Sequence, residues 1–360
     1  MSRLSFDIYS CVHTYYKPSS CTKCADVCPV DGVVSLENEK VQLNLENCVS
    51  CGACVGVCPT ESFSLNGFNP REFFDKFVDR EWDFISCKLN VPCLSAIDSQ
   101  YLIALALKRE EDIVLDIGHC ESCFIGKLLD RIKQITDEAN YVLQQLELPY
   151  RIKLENIKYQ QENKQQSSRR AFLKGFTKTT ASLAFWAVAQ ALPITEEQQE
   201  VERDYKNIVE EKVMPEKRKV LIESLKESQL DFEGKYLDVD KISFTSQKWI
   251  EWEKCTNCFI CYNICPTGAL SGGSDRLEIL FKPSMCIKCR ICHEVCPEQC
   301  LHLDEKLSIE DFVYGTKTLA KHIMIPCAEC MVPFSYKNDG DYICPRCKKL
   351  DEEVRELLGL

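Results

Sequence analysis

The sequence predicts an α+β protein assembled from small metal-nucleated modules, on three observations. It carries 25 cysteines in 360 residues. They fall into two blocks, 11–123 and 255–347, with none between. Within the blocks one spacing recurs: C-V-S-C-G-A-C-V-G-V-C-P from Cys48, C-T-N-C-F-I-C-Y-N-I-C-P from Cys255 and C-I-K-C-R-I-C-H-E-V-C-P from Cys286. A fourth copy, C-T-K-C-A-D-V-C-P from Cys21 to Pro29, has Pro18 where its first cysteine would stand. The C-x2-C-x2-C-x3-C-P run supplies the thiolates that hold a cubane iron–sulfur cluster. An odd cysteine total, grouped as C-x-x-C pairs, argues for metal ligation over disulfides. Modules of this kind need little core, because ligation itself contributes folding free energy.

The units 21–59 and 255–297 are two versions of one repeat, each a duplicated half, and in both places the chain resembles the bacterial two-cluster ferredoxin. The resemblance implies a dicluster module over 1–80 and another over 246–312, each half giving a short helix and a strand pair. Hairpins are expected from 33–36 with 41–45 and from 277–281 after Gly272-Gly273. It also implies crossover ligation, in which the cysteine before proline serves the other half's cluster. One 4Fe–4S cluster then takes Cys255, Cys258, Cys261 and Cys296, a second Cys265, Cys286, Cys289 and Cys292, and a third Cys28, Cys48, Cys51 and Cys54. The fourth departs from the family, with Cys21, Cys24 and Cys58 in place and one ligand missing. Cys11, folding back across 12–20, is the candidate for it. His13 is an alternative, and a three-cysteine site holding a 3Fe–4S cluster or an exchangeable iron is another. Pro29, Pro59, Pro266 and Pro297 shape the turn after each crossover cysteine, through a fixed φ and a missing N–H.

Residues 81–160 read as a small α/β domain. A strand is expected at 82–86, a helix over S-Q-Y-L-I-A-L-A-L-K-R, and a buried strand at 113–117. Cys87 and Cys93, then Cys120 and Cys123, follow the two strands, where open α/β sheets place their ligands. Over about 81–133 the chain resembles the iron–sulfur delta subunit of the methyl-viologen-reducing hydrogenase, which implies a 2Fe–2S cluster on Cys87, Cys93, Cys120 and Cys123. That family's glycine- and histidine-rich surroundings are reduced here to Gly118 and His119. Four thiolates also suit zinc, a redox dithiol pair, or plain burial.

Residues 161–245 are expected as a helical linker. Within it, 196–228 shows spaced Val, Ile and Leu among Glu, Lys and Arg, the pattern of amphipathic packing helices broken near Pro215. S-R-R-A-F-L-K at 168–174, followed by the apolar run 181–192, matches a twin-arginine export signal lying 167 residues from the first methionine. Such a signal is read at an N-terminus, so a relic packing helix is expected; contact of 170–192 with a membrane surface or partner subunit, or export of a shorter product, are the alternatives. In the tail, 313–360, Cys327-A-E-Cys330 and Cys344-P-R-Cys347 form the double C-x-x-C of a zinc ribbon, with mononuclear iron as the alternative ion. Cys300 is then left over, as a small buried residue near a cluster.

The net charge of −11 argues against nucleic-acid and anionic-membrane partners. Residues 1–10 show no signal peptide and no stretch reaches the length of a spanning helix, so a cytoplasmic location is expected. Nucleotide fingerprints, H-E-x-x-H and a hydrolytic triad are absent from the sequence. The chain is therefore expected to carry electrons as a subunit of a larger oxidoreductase, with formate dehydrogenase, a hydrogenase or a heterodisulfide-reductase-like complex as candidate partners. The rival expectations are a thiol–disulfide reductase working through Cys87, Cys93, Cys120 and Cys123, and an iron–sulfur maturation or sensing protein.

Overall fold

The amino terminus is laid out as nested strand pairs around two cysteine loops. In the computed structural model, which describes residues 4–157 and 211–359, strands β1 (Leu4–Phe6), β2 (Val34–Glu37), β3 (Lys40–Leu43) and β4 (Phe63–Leu65) alternate with short helices α1 (Val12–Tyr15), α2 (Lys23–Val27) and α3 (Ala53–Val57). β2 and β3 form the expected hairpin through Asn38 and Glu39, both left-handed, while β1 closes the module by pairing antiparallel with β4, Leu4 opposite Leu65. The carboxy-terminal module repeats this plan. Its outer pair is β9 (Lys248–Ile250) with β12 (Leu301–Leu303), and its inner hairpin is β10 (Leu270–Gly272) with β11 (Glu278–Phe281). Residues 4–156 and 211–359 belong to one compact unit.

Between the modules in sequence lies a parallel sheet, β5 (Phe84–Ile85), β6 (Ile113–Asp116) and β7 (Ile152–Glu155), in the order β5-β6-β7. Helix α4 (Pro70–Val78) precedes it, capped by Asn69 and opened by Pro70. Helices α5 (Ser99–Arg109) and α6 (Leu128–Gln145) connect the strands. α5 is the central element: Leu102, Ile103 and Leu105 are fully buried, each contributing about 1.5–3 kcal/mol relative to exposure. Asp98 caps its start by accepting from Gln100 N, and Glu110, left-handed, ends it.

The linker expected over 161–245 differs in its described part. Helix α7 (Glu216–Glu227) begins after Pro215 as expected, but it packs on α5 with Val220, Leu221 and Leu225 buried in the same core as β6 and α6. β8 (Tyr236–Asp238), which pairs with β13 (Lys306–Ser308), and α10 (Ile309–Tyr314) complete that core, helices α8 (Ile260–Asn263) and α9 (Ile291–Glu294) lying in the cysteine loops before them. The reason is burial: Val220, Leu221 and Leu225 leave water by joining the cluster that holds Leu102, Ile103 and Leu105. The tail also joins its neighbour, since β14 (Lys317–Lys321) adds to the β10–β11 sheet across the boundary expected at 312. Only then come the hairpin β15 (Ile323–Pro326) and β16 (Pro333–Tyr336) and the terminal helix α11 (Pro345–Leu358). The twin-arginine stretch, the apolar run 181–192 and residues 196–210 lie outside the described residues.

Candidate iron–sulfur and metal centres

Three loops share one backbone device. After the first cysteine of each full motif, the second and fourth residues are left-handed: Ser50 and Gly52, Asn257 and Phe259, Lys288 and Arg290. Alternating the hand of successive residues turns consecutive N–H groups into one concavity, the nest that receives anionic iron–sulfur groups. Five of these six residues carry a Cβ, and a non-glycine residue held left-handed costs about 1–3 kcal/mol. The fourth loop, before Cys24, has no left-handed residue at Ser20 or Thr22. It has lost the device together with the first cysteine.

The loops enclose thiols as crossover ligation requires. One small cavity is lined by Cys28, Cys48, Cys51 and Cys54 with Val30, Val33 and Leu4. Another is lined by Cys265, Cys286, Cys289 and Cys292 with Leu270, Phe281 and Ile291. Cys255, Cys258 and Cys296 are likewise electrostatic neighbours of Cys261. Four thiols, an apolar wall and inward amides are the donor set a cubane needs, so the residues fit the group.

Cys11, Cys21, Cys24 and Cys58 are brought together despite the incomplete motif. Burial pushes the Cys11 thiol up to about 11 and Cys24 to about 12, with Cys58 and Cys21 adding to the rise of both. His13 is engaged elsewhere, its Nδ1 3.1 Å from Lys17 O and its Nε2 2.8 Å from Cys21 O. The crossover cysteine Cys58 receives Ser62 N–H at 3.3 Å.

Cys87, Cys93, Cys120 and Cys123 also converge. Burial raises the Cys120 thiol to about 11, and Cys93, Cys87 and Cys123 follow as contributors. Cys93 stands beside Cys51 because the two segments touch through glycine. A Cβ on Gly56 would lie 2.4 Å from Ser95 O, and one on Gly52 2.8 Å from the Ala96 Cβ.

The C-terminal quartet is tighter. All four sulfurs of Cys327, Cys330, Cys344 and Cys347 lie within 4.8 Å of one another, the group of three or more donors meeting that limit among the described residues. Cys327 Sγ is 4.0 Å from Cys347 Sγ, and Cys330 Sγ is 3.8 Å from Cys344 Sγ. A tetrahedron with 2.3 Å metal–sulfur bonds has edges of about 3.8 Å. Backbone N–H groups, first at Cys330 and then at Cys344, draw Cys327 down to about 6. Cys300 is buried, its sulfur 3.6 Å from that of Cys296, and its hydrogen bond holds Cys255 well below the ordinary thiol range.

Two charged residues at the start of α7 prove central. Lys217 Nζ donates to Gly56 O at 3.1 Å and Cys58 O at 2.7 Å, and lies 3.5 Å from Asp98. Arg218 donates to Cys286 O at 2.7 Å, Ser284 O at 2.9 Å, Gln100 Oε1 and Phe244 O, with its guanidinium over the rings of Phe244 and Phe312. Adjacent buried cations thus grip a cysteine carbonyl in each module. Glu61 supports them by capping α7, accepting from Glu216 N and Lys217 N. Only the P-E-K-R start of α7 hinted at this in the sequence.

The comparisons agree with this geometry. Residues 11–62 and 247–297 each match a 4Fe-4S dicluster domain family. A protein named "Ferredoxin 7Fe" from Hydrogenibacillus schlegelii is 33% identical over 61 residues, covering 17% of this chain and 76% of that protein. The chain belongs to the 4Fe–4S dicluster ferredoxin family, twice over. It is an iron–sulfur electron-transfer protein.

Proposed function

We propose that the chain is a multi-cluster electron conduit serving a larger oxidoreductase complex, with five iron–sulfur sites in a single file and a structural metal clip at one end. The observation that carries this reading is the adjacency of successive thiol groups. Cys93 of the 87/93/120/123 site neighbours Cys51. Cys54 neighbours Cys24. Cys11 and Cys21 share an apolar cluster with Cys289. Cys292 neighbours Cys261. The order is therefore 87/93/120/123, then 28/48/51/54, then 11/21/24/58, then 265/286/289/292, then 255/258/261/296. When bound, the clusters supply one-electron carriers whose potentials follow burial, net charge and hydrogen bonds to sulfur.

The chain's own residues hold this file together. α7 joins the two modules through Lys217 and Arg218, and Ser20 adds bonds across to Glu294. Cys11 is assigned as the fourth ligand of its site, supported by its position among Cys21, Cys24 and Cys58 and by the engagement of His13. The 87/93/120/123 site is assigned a 2Fe–2S cluster over zinc, because its sulfurs do not meet the close spacing of the C-terminal quartet. That quartet is assigned zinc, and Lys337, just after β16, ties the clip to the loop of the last cluster by donating from Nζ to Cys255 O at 2.7 Å. Cys123 and Phe124 are exposed, which leaves the first site open to a partner subunit. Among the described residues no helix is long and apolar enough to cross a membrane.

Anaerobic isolation with native partners, followed by iron, sulfide and zinc analysis, tests the proposal. About 18 irons and one zinc per chain are expected. About eight irons would remove one whole module from the file and sink the reading.

A further inference from the structure

We propose that a groove at the middle of the file binds a small organic anion, a planar ring carrying a phosphoryl or carboxylate group. Two adjoining cavities, of about 500 and about 510 Å³, share Lys23, Pro59, Arg131, Gln134 and Ser243 as walls. Together they have the size of a cofactor or metabolite site. Cys28 lines the first, and Cys21 and Cys289 line the second. The location beside three centres rests on the proposed ligand assignment; the binding chemistry does not.

The groove is amphipathic. Val27, Val57, Leu128, Phe244 and Ile287 give the first cavity an apolar floor. Lys23, Arg131 and Arg290 supply positive charge at the junction and in the second. Among the described residues, no hydrogen bond or ion pair occupies these three side chains, and the Arg131 Nε is buried without a partner. A buried guanidinium donor is costly to leave unmade, and the fork of an arginine matches phosphate and carboxylate oxygens in pairs. The deeper cations differ, for Lys217 and Arg218 are saturated by carbonyls.

The acids of the groove do not fill this role. Asp98 is held by Lys217 and Gln100, Glu138 by Ser243, and Asp26 by Thr22. Asp130 and Asp240 lie on the exposed rim. In a chain of net charge −11, the partly buried Lys23 and Arg131 and the exposed Arg290 gather three cations without hydrogen-bonded partners beside an apolar floor, a built feature of one site. An anion seated there would lower the potentials of the neighbouring clusters by adding negative charge beside them.

The test is equilibrium binding to the full chain, purified anaerobically, with flavin mononucleotide as a ring-plus-phosphate probe, lumiflavin as ring alone and inorganic phosphate as anion alone. Saturable binding of about one flavin mononucleotide per chain is expected, tighter than either fragment and weakened about tenfold or more in Arg131→Gln and Arg290→Gln. Lys348→Gln, remote from the groove, should bind as the parent does. Iron content measured on the same samples separates loss of the site from loss of clusters. Absence of saturable binding, phosphate binding as tightly as the nucleotide, or equal affinity in Arg131→Gln and the parent would each overturn the proposal.

Discussion

Replacing Lys217 with methionine removes a buried cation and keeps its hydrophobic stem. The side chains of Lys217 and Asp98 are only 4% and 9% exposed, and they lie 3.5 Å apart. The substitution leaves the Gly56 and Cys58 carbonyls without their donor and the Asp98 carboxylate without its principal counter-charge. Breaking a buried pair from one side costs about 3–5 kcal/mol. A fall in Tm on the order of 10 °C follows. The pH dependence should change as well. In the parent, burial would raise the Asp98 carboxyl, but Lys217, then Arg131 and the Gln100 bonds, hold it below the ordinary value. A lowered carboxyl pKa contributes stability above the unfolded value of about 3.9 and loses it as pH falls through the folded value. In Lys217→Met burial acts with less opposition, so the carboxyl rises and stability falls as pH climbs from about 4 toward neutrality. The assay is anaerobic urea unfolding of the iron-loaded chain, followed by far-ultraviolet circular dichroism at pH 5, 6 and 7. The double variant Asp98→Asn with Lys217→Met should recover much of the loss, because neither charge of the pair remains buried. A single variant within about 1 kcal/mol of the parent at every pH, or a double variant no better than the single, would refute the reasoning.

Four further outcomes are expected. Cys11→Ala should lower the iron content by about four per chain or convert one centre to a three-iron signal, whereas His13→Ala should leave iron unchanged; electron paramagnetic resonance and iron counting distinguish them. A zinc chelator should extract the ion of the C-terminal clip without changing visible absorbance, and Cys330→Ser should do the same; bleaching on chelation would assign iron there instead. Cys120→Ser with Cys123→Ser should remove about two irons while the cubane signals persist; unchanged iron with lost zinc would reassign that site. Gly56→Ala, which forces a Cβ against Ser95 O, should separate Cys93 from Cys51 and weaken magnetic coupling between the first two centres in the reduced protein.

Much of the site was legible because cysteine spacing is a local property. A cubane loop is shorter than 15 residues, so its ligands stand next to one another in the chain, and the hairpins beside it obey an equally local alternation. The strand–helix–strand order around Cys87 and Cys120 could be read for the same reason: α5 is a largely apolar run bounded by Asp98 and Glu110, and β6 is a short apolar run just after it. The role of 216–227 was not legible. Its charges match an exposed amphipathic helix, and nothing nearby in sequence reveals that Lys217 and Arg218 point inward. Their partners are Cys58, Asp98 and Cys286, between 68 and 159 residues away. The left-handed residues were equally hidden, since Phe259 and Arg290 carry no local signal for that conformation.

Composition and spacing alone determined that this chain holds iron through thiolates and which cysteines belong to each loop, because ligand chemistry acts over a few bonds. Tertiary structure decided the rest: that Cys11 arrives beside Cys58, that the glycine contact seats Cys93 against Cys51, and that α7 brings the two modules face to face. Those are long-range choices, set by which apolar surfaces must be covered and which buried charges must find partners.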